Sequence, residues 1–234
     1  MPIRHLFYFK SRFFIEVINN MNTEPPKQHS LIFSQEMVKS LLNGKKTVAR
    51  IHVKLKANSR KFKPDEVAEE IKRGDYSNAV IKPGDVVWVR ETFKITENEF
   101  NDLHGMYCIE YRADSGCKLI NPNIENNDHL AYAILKNGYT SSSNMPRYAS
   151  RLTLKVTGVR IERVQDISEE QAIKEGMPSI EEARKMAIEA GMDWYQKPSV
   201  WFKGVWDRAH SDWEENPLVW CIEFDVIGKN IDLL

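Results

Sequence analysis

The sequence has few of the residues and patterns that mark secreted or metal-binding proteins. Its 234 residues include only three cysteines, an odd number without a C-x-x-C pair. No disulfide scaffold is therefore expected, and a reducing, cytoplasmic location is the simpler interpretation. The six histidines are scattered, with no H-E-x-x-H motif and no Cys/His cluster. We expect neither a metal site nor a cofactor.

Long apolar runs are also missing. No segment approaches the roughly 20 apolar residues that a transmembrane helix needs, so no membrane partner is expected. The apolar residues 6–9 are followed at once by basic residues, which argues against a signal peptide. Because Met21 opens a more ordinary polar sequence, residues 1–30 are interpreted as an N-terminal extension. That extension is either disordered or the product of a start assigned at Met1 instead of Met21.

The chain has no excess of charge of one sign. Lysine plus arginine (33) balances aspartate plus glutamate (33), and the 42% of hydrophobic residues is ordinary for a globular domain. The distribution is uneven, however, because residues 45–63 contain eight lysines and arginines and no acid. Such a run is either a solvated face or a surface that contacts phosphates.

Alternating apolar residues predict several strands. The segments that alternate are residues 107–111, 152–161 and 220–226, and the continuous apolar run 86–89, which follows a turn, predicts a buried strand. Residues 113–144 are rich in Asn, Ser, Gly and Asp and are interpreted mostly as loop. Strands separated by non-repeating helices favour an α+β domain or a mixed β-barrel over a doubly wound sheet.

Capping signals predict four helices between these strands. Ser34 precedes an apolar stripe that ends at Gly44, and Ser168 opens a short helix that Gly176 closes. Ser179 with Glu182 forms a capping box for a third helix, and Ser199 is the expected N-cap of a fourth.

Two charged residues at helix ends are physically unusual. Lys46 follows the first helix directly beside Lys45, with no local acid as a partner. Glu175 lies in the last turn before Gly176, where a carboxylate opposes the helix dipole. Glu175 either points into solvent or meets a distant lysine in a cleft as an acid/base pair. The sequence GKKT at 44–47 lacks the earlier glycine of a P-loop, so a P-loop NTPase is excluded.

Nine short motifs occur in an order that resembles one known family. They are IFS (32–34), LNGKKT (42–47), PGD (83–85), WVRETF (88–93), MPRYASR (145–151), VTGV (156–159), ISEE (167–170), EG (175–176) and NPLVWCIEF (216–224). Together they resemble the ASCH domain, a branch of the PUA-like superfamily, and especially the longer ASCH proteins of phages and prophages.

The resemblance implies an α+β fold, a PUA-like mixed β-barrel with flanking helices. It implies one domain over residues 31–228 and a short tail over 229–234. Insertions are expected at about 55–80, 113–144 and 177–215. The barrel would hold a cleft suited to RNA or to a modified nucleoside.

The resemblance also implies site residues. A compact bacterial member of the family is an amidohydrolase that removes the acetyl group of N(4)-acetylcytidine, with the pattern Gly-x-Lys-Thr-x-Thr-x-Arg and a downstream catalytic glutamate. Its lysine, first threonine and glutamate fall on Lys46, Thr47 and Glu175, whereas its nucleophilic threonine falls on Ala49. Alanine cannot attack an amide. Either Glu175 activates a water, or Thr47 is the nucleophile, or the pocket is retained without the chemistry.

Six residues are candidates for contact with nucleic acid. Tyr148 lies between arginines, an arrangement suited to stacking on single-stranded bases. The set is Lys45, Arg50, Arg90, Arg147, Tyr148 and Arg151. Alternatively, residues 145–146 form a structural turn, and Arg90 with Glu91 forms an internal ion pair.

The leading hypothesis from the sequence is a phage-type ASCH protein that binds RNA or a nucleoside in a cleft around Lys46 and Glu175. One alternative is a hydrolase, either an amidohydrolase on a modified pyrimidine nucleoside or a ribonuclease. A second alternative is a non-catalytic phage structural or interaction protein. The sequence indicates no particular oligomeric state.

Overall fold

The computed structural model describes residues 25–53, 63–97, 107–120, 138–192 and 195–233. These residues form an α+β fold, as predicted. The strands are β1 (Gln28–Ile32), β2 (Val48–His52), β3 (Val86–Arg90), β4 (Phe93–Glu97), β5 (Tyr107–Tyr111), β6 (Cys117–Ile120), β7 (Thr153–Arg163) and β8 (Leu218–Ile227). The α-helices are α1 (Gln35–Leu42), α2 (Pro64–Lys72), α3 (Glu169–Lys174), α4 (Ile180–Glu189) and α5 (Pro198–His210).

The main sheet has five strands in the order β1-β3-β7-β8-β2. Strands β1 and β3 are parallel, and the other pairs are antiparallel. The long β7–β8 pair carries a bulge between Val156 and Gly158. Over the residues that the structure describes, β1 and β2 form opposite edges and do not pair, so the sheet does not close into a barrel there.

The main core lies on one face of this sheet. Apolar side chains that alternate along the strands meet α1 through Val38 and Leu41, which are fully buried. Leu154 and Val156 from β7 and Ile222 from β8 belong to the same cluster. Along these strands, the apolar residues that alternate in the sequence are therefore the ones whose side chains are buried in the core.

A smaller sheet, β4-β5-β6, packs a second cluster. Tyr111 is buried there and donates a hydrogen bond from its hydroxyl to the carbonyl of Ala149 at 2.7 Å. In this sheet Cys108 and Cys117 form a disulfide, with Cα atoms 5.8 Å apart. The sequence analysis expects no disulfide scaffold and does not predict this single pair. The β5–β6 register places the two cysteines diagonally on one face, a relation that their spacing alone does not reveal.

Three of the four predicted helix starts are confirmed. Ser34 accepts a hydrogen bond from the amide of Met37, and Ser168 accepts one from Gln171. Ser179 and Glu182 form the reciprocal capping box. The prediction of Ser199 as an N-cap is wrong.

The fourth helix, α5, begins at Pro198, and its N-cap position is Lys197. Proline suits the first helical position because the N–H of that residue has no partner within the helix, so its absence costs no hydrogen bond. Ser199 lies inside the helix and hydrogen-bonds the carboxylate of Glu169 with its amide and its hydroxyl.

Five elements fall where the sequence predicts none, and two of them are β2 and β4. Strand β1 begins at Gln28, within the segment 1–30 that is interpreted as an extension, and pairs with β3. Helix α2 lies in the expected insertion 55–80, and β6 lies in the expected loop 113–144. Within the described ranges, none of the helices is long and apolar enough to cross a membrane.

Candidate functional site

Lys46 and Glu175 are in contact, although they are 129 residues apart in the sequence. The segment after α1 docks on the end of α3, because the amide of Thr47 donates to the carbonyl of Lys174 at 2.8 Å. The Lys46 ammonium donates to the main-chain carbonyl of Glu175 at 3.1 Å and also to its carboxylate. Their side chains are only 1% and 3% exposed. The two residues flagged by their helix-end positions therefore form a buried ion pair.

Arg50 on β2 binds the other oxygen of the same carboxylate. Its Nη1 donates to Glu175 Oε1 at 2.9 Å, and its Nε donates to Glu162 Oε1 at 3.1 Å. Its Nη2 donates to Gln171 Oε1 at 3.0 Å. The guanidinium is thus held by internal acceptors instead of projecting from the surface, which differs from the expected role in phosphate contact.

The network continues behind Glu175 through Glu162 and Arg160. Arg160 Nε donates to Glu162 Oε2 at 2.9 Å, and its guanidinium also reaches Glu223. Burial tends to raise the pKa of Glu162, but the charge of Arg50 and hydrogen bonds from Cys221 and the two arginines outweigh it and lower that pKa. Burial raises the pKa of the Cys221 thiol, so this cysteine is a poor nucleophile.

A cavity of about 1100 Å³ opens beside these charges. Both edge strands of the main sheet line it, together with α1, α2 and α5. Lys46, Arg50 and Glu175 contribute the buried charges, while Phe202 and Trp206 contribute aromatic wall. The volume is at the upper end of that of small-molecule sites, and a largely apolar wall with few polar groups is their usual composition.

The threonine positions of the motif lie differently with respect to this cavity. Ala49, at the nucleophile position, is buried and lines it. Thr47 is half-buried, and its carbonyl accepts a hydrogen bond from the amide of Phe224 at 3.0 Å. Thr47 is not among the residues that line the cavity. The geometry therefore favours a water over Thr47 as an attacking group.

The sequence analysis misses a second group of polar residues in the cavity. His52 Nε2 lies 2.7 Å from Asp212 Oδ2, and Trp206 Nε1 donates to Asp212 Oδ1 at 2.8 Å. The ring of His210 is 4.4 Å from that of His52, centre to centre. His52 and Asp212 are 160 residues apart, and no local pattern signals their contact.

The other predicted nucleic-acid contacts lie away from the cavity. Arg151 binds the carboxylates of Glu91 and Asp114, so the structure brings it into an internal cluster. Arg90 donates to the main-chain carbonyls of residues 142 and 143. Neither arginine is among the cavity-lining residues.

Three further candidates are placed on other surfaces. Lys45 forms a half-exposed ion pair with Glu182, and Arg147 forms one with Asp232. Tyr148 packs against the core of the small sheet. Half of the basic run, at positions 54, 56, 60 and 61, lies outside the described residues. The structure thus gathers two of the named residues, Arg50 and Glu175, around Lys46 and leaves the others dispersed.

Across the described ranges, no group of three or more His, Cys, Asp or Glu side chains is arranged to hold a metal ion. Comparisons with protein-family models, with curated proteins and with solved structures gave no match.

Proposed function

We propose that this chain is an ASCH protein of phage type, with an opened PUA-like barrel, that binds a nucleoside in the cavity beside Lys46 and Glu175. The observation that supports this proposal most directly is the contact between these two buried residues at the wall of a cavity of about 1100 Å³. They occupy the two positions at which the family resemblance implies functional groups. The two edge strands of the main sheet line one cavity, which supports the barrel-like assignment.

The composition of the cavity supports a flat, heteroaromatic ligand. A nucleobase has two apolar faces and an edge of hydrogen-bond donors and acceptors. Phe202 and Trp206 offer aromatic surface, and the buried Lys46, Arg50 and Glu175 offer polar groups to an edge. The same base can come from a free nucleoside or from a nucleotide in single-stranded RNA.

Calorimetric titration of the purified protein tests the proposal. Free nucleosides, acylated nucleosides and single-stranded RNA are titrated separately at low salt, so that the source of the base is distinguished. We expect saturable binding of at least one nucleoside or of RNA. The Ala49→Leu variant, which narrows the cavity at its wall without removing a charge, should weaken it. Absence of binding by every probe would overturn the proposal and favour a non-catalytic structural or interaction role.

The buried Lys46–Glu175 pair also supports a second candidate, hydrolysis of an amide on a modified pyrimidine nucleoside. Lys46 would stabilise the oxyanion, and Glu175 would act as general acid/base. If a threonine-dependent route is latent, Ala49→Thr should raise the release of acetate from N(4)-acetylcytidine. No gain from this substitution would argue for a water as nucleophile. Incubation with bulk RNA in parallel tests the ribonuclease alternative.

A further inference from the structure

The pair His52–Asp212 has the geometry of an oriented base. Asp212 uses both carboxylate oxygens, one toward Trp206 Nε1 at 2.8 Å and one toward His52 Nε2 at 2.7 Å. A carboxylate fixed in this way holds the imidazole in one orientation and favours the tautomer protonated at Nε2. The Nδ1 atom of neutral His52 is then the basic one. His52 remains about 25% exposed and lines the cavity.

The same strand connects this base to the buried charges. His52 and Arg50 are two residues apart on β2 and so point to the same face, separated by about 7 Å along the strand. Arg50 binds Glu175, which binds Lys46. The cavity therefore carries a cationic group and a carboxylate at one end and an oriented imidazole at the other.

We propose that His52, positioned by Asp212, is the general base that activates a water for hydrolysis of an acyl group on a nucleoside bound in the cavity. This inference rests on the proposed nucleoside-binding function. This role would account for the missing nucleophile at Ala49, because a water activated by an imidazole can attack the acyl group without a side-chain nucleophile.

The reaction balances with one water consumed. His52 Nδ1 removes a proton from water while the water oxygen bonds to the acyl carbon, and the carbonyl electron pair moves onto its oxygen. The ammonium of Lys46 and the guanidinium of Arg50, which line the cavity while paired with Glu175 and Glu162, face the negative charge that develops on this oxygen. When the carbonyl re-forms, the carbon–nitrogen bond breaks and the nitrogen takes the proton from His52. The products are a carboxylic acid and the free amine.

Charged and titratable groups face His52 from the end of α5 and from its own strand. They are Asp212, His210 from the end of α5 and, on its own strand, Arg50. Burial first, and then the neighbouring His52, lowers the pKa of His210, which therefore stays neutral at physiological pH. The nearest opposite charge is the carboxylate of Asp212.

Kinetics of His52→Gln and Asp212→Asn on N(4)-acetylcytidine and other N-acylated nucleosides test the inference. We expect His52→Gln to lower kcat by about 100-fold with little change in KM. Asp212→Asn keeps an acceptor for Trp206 and should lower kcat while abolishing the Nε2–H tautomer in ¹⁵N spectra of His52. The matched control is His29→Gln, which breaks a similar His–Asp pair away from the cavity, at 3.0 Å from Asp85, and should keep full activity.

The outcomes separate the two proposals. Circular dichroism and thermal melts establish that each variant is folded. Saturable nucleoside binding without product, or product formed equally well by His52→Gln, overturns the role of His52 and leaves the binding function standing. If the wild-type protein binds none of the nucleosides and no RNA, the proposed function itself is overturned.

Discussion

Glu175 is the residue that joins the two buried cations, since its carboxylate pairs with both Lys46 and Arg50. In Glu175→Gln, Lys46 loses its charged partner, and Arg50 keeps Glu162 but loses its second carboxylate. Removing one member of a buried ion pair typically destabilises a protein by about 3–5 kcal/mol. We expect Glu175→Gln to lower the free energy of unfolding by about 3 kcal/mol, measured by urea denaturation.

Glu182→Gln is the matched control for this substitution. Glu182 pairs with Lys45 close to the same helix ends, but both side chains are about half exposed. An exposed ion pair contributes less than about 1 kcal/mol. Equal losses in the two variants would contradict the conclusion that burial makes the Glu175 contacts strong.

Glu162 determines how this network responds to acid. Burial opposes its ionisation, but Arg50 and the surrounding hydrogen bonds lower its pKa below the ordinary value of 4.5. A carboxylate with a lowered pKa in the folded state stabilises that state above its unfolded pKa, and the contribution is lost as pH falls through the folded value. Between pH 4.5 and 3, the free energy of unfolding should therefore fall more steeply for wild type than for Glu162→Gln. Parallel slopes in urea titrations across this range would contradict the assignment.

At the scale of elements, the turn after α3 places Glu175 in contact with Lys46. Gly176 has a φ of +94°, and an added Cβ would lie 2.8 Å from Ser40 Cβ. Gly191, after α4, also has a positive φ, +69°, but has no atom within 4 Å of such a Cβ. Left-handed backbone alone costs a non-glycine residue about 1–2 kcal/mol.

Gly191→Ala should therefore lower stability by about 1 kcal/mol, whereas Gly176→Ala adds a steric clash with α1 and should lower it by at least about twice as much. Thermal denaturation of both variants checks the difference. Similar losses would show that α1 and α3 approach less closely than the structure indicates.

Local signals predict the elements that are locally determined. Ser34, Ser168 and Ser179 cap helices because their side chains reach amides three residues ahead. The sequence does not predict β1 and β6, because neither strand has an apolar alternation of its own. Both are formed by pairing with a neighbouring strand. The Cys108–Cys117 contact depends on that same register.

At the scale of the whole molecule, the site is predictable only in part. The helix-end positions of Lys46 and Glu175 single them out, and the ordered motifs place them together. A basic run suggests an exposed Arg50, whereas the structure buries this side chain against Glu162 from β7, 112 residues later in the chain. His52 and Asp212 carry no local signal at all, because their contact exists only once β2 and the end of α5 are packed.

Because residues from Leu31 to Trp220 line one cavity, a ligand there should stabilise the whole fold. A nucleoside that binds only the native state, at 100 times its Kd, adds about 2.7 kcal/mol to the free energy of unfolding. Hydrogen exchange should slow in β1 and β2 together, since these opposite edges of the sheet face the same ligand. Ala49→Leu is the control, because its larger side chain narrows the cavity and should weaken both effects. Protection of one edge alone would mean that the ligand contacts one wall and that the two edges do not form a common site.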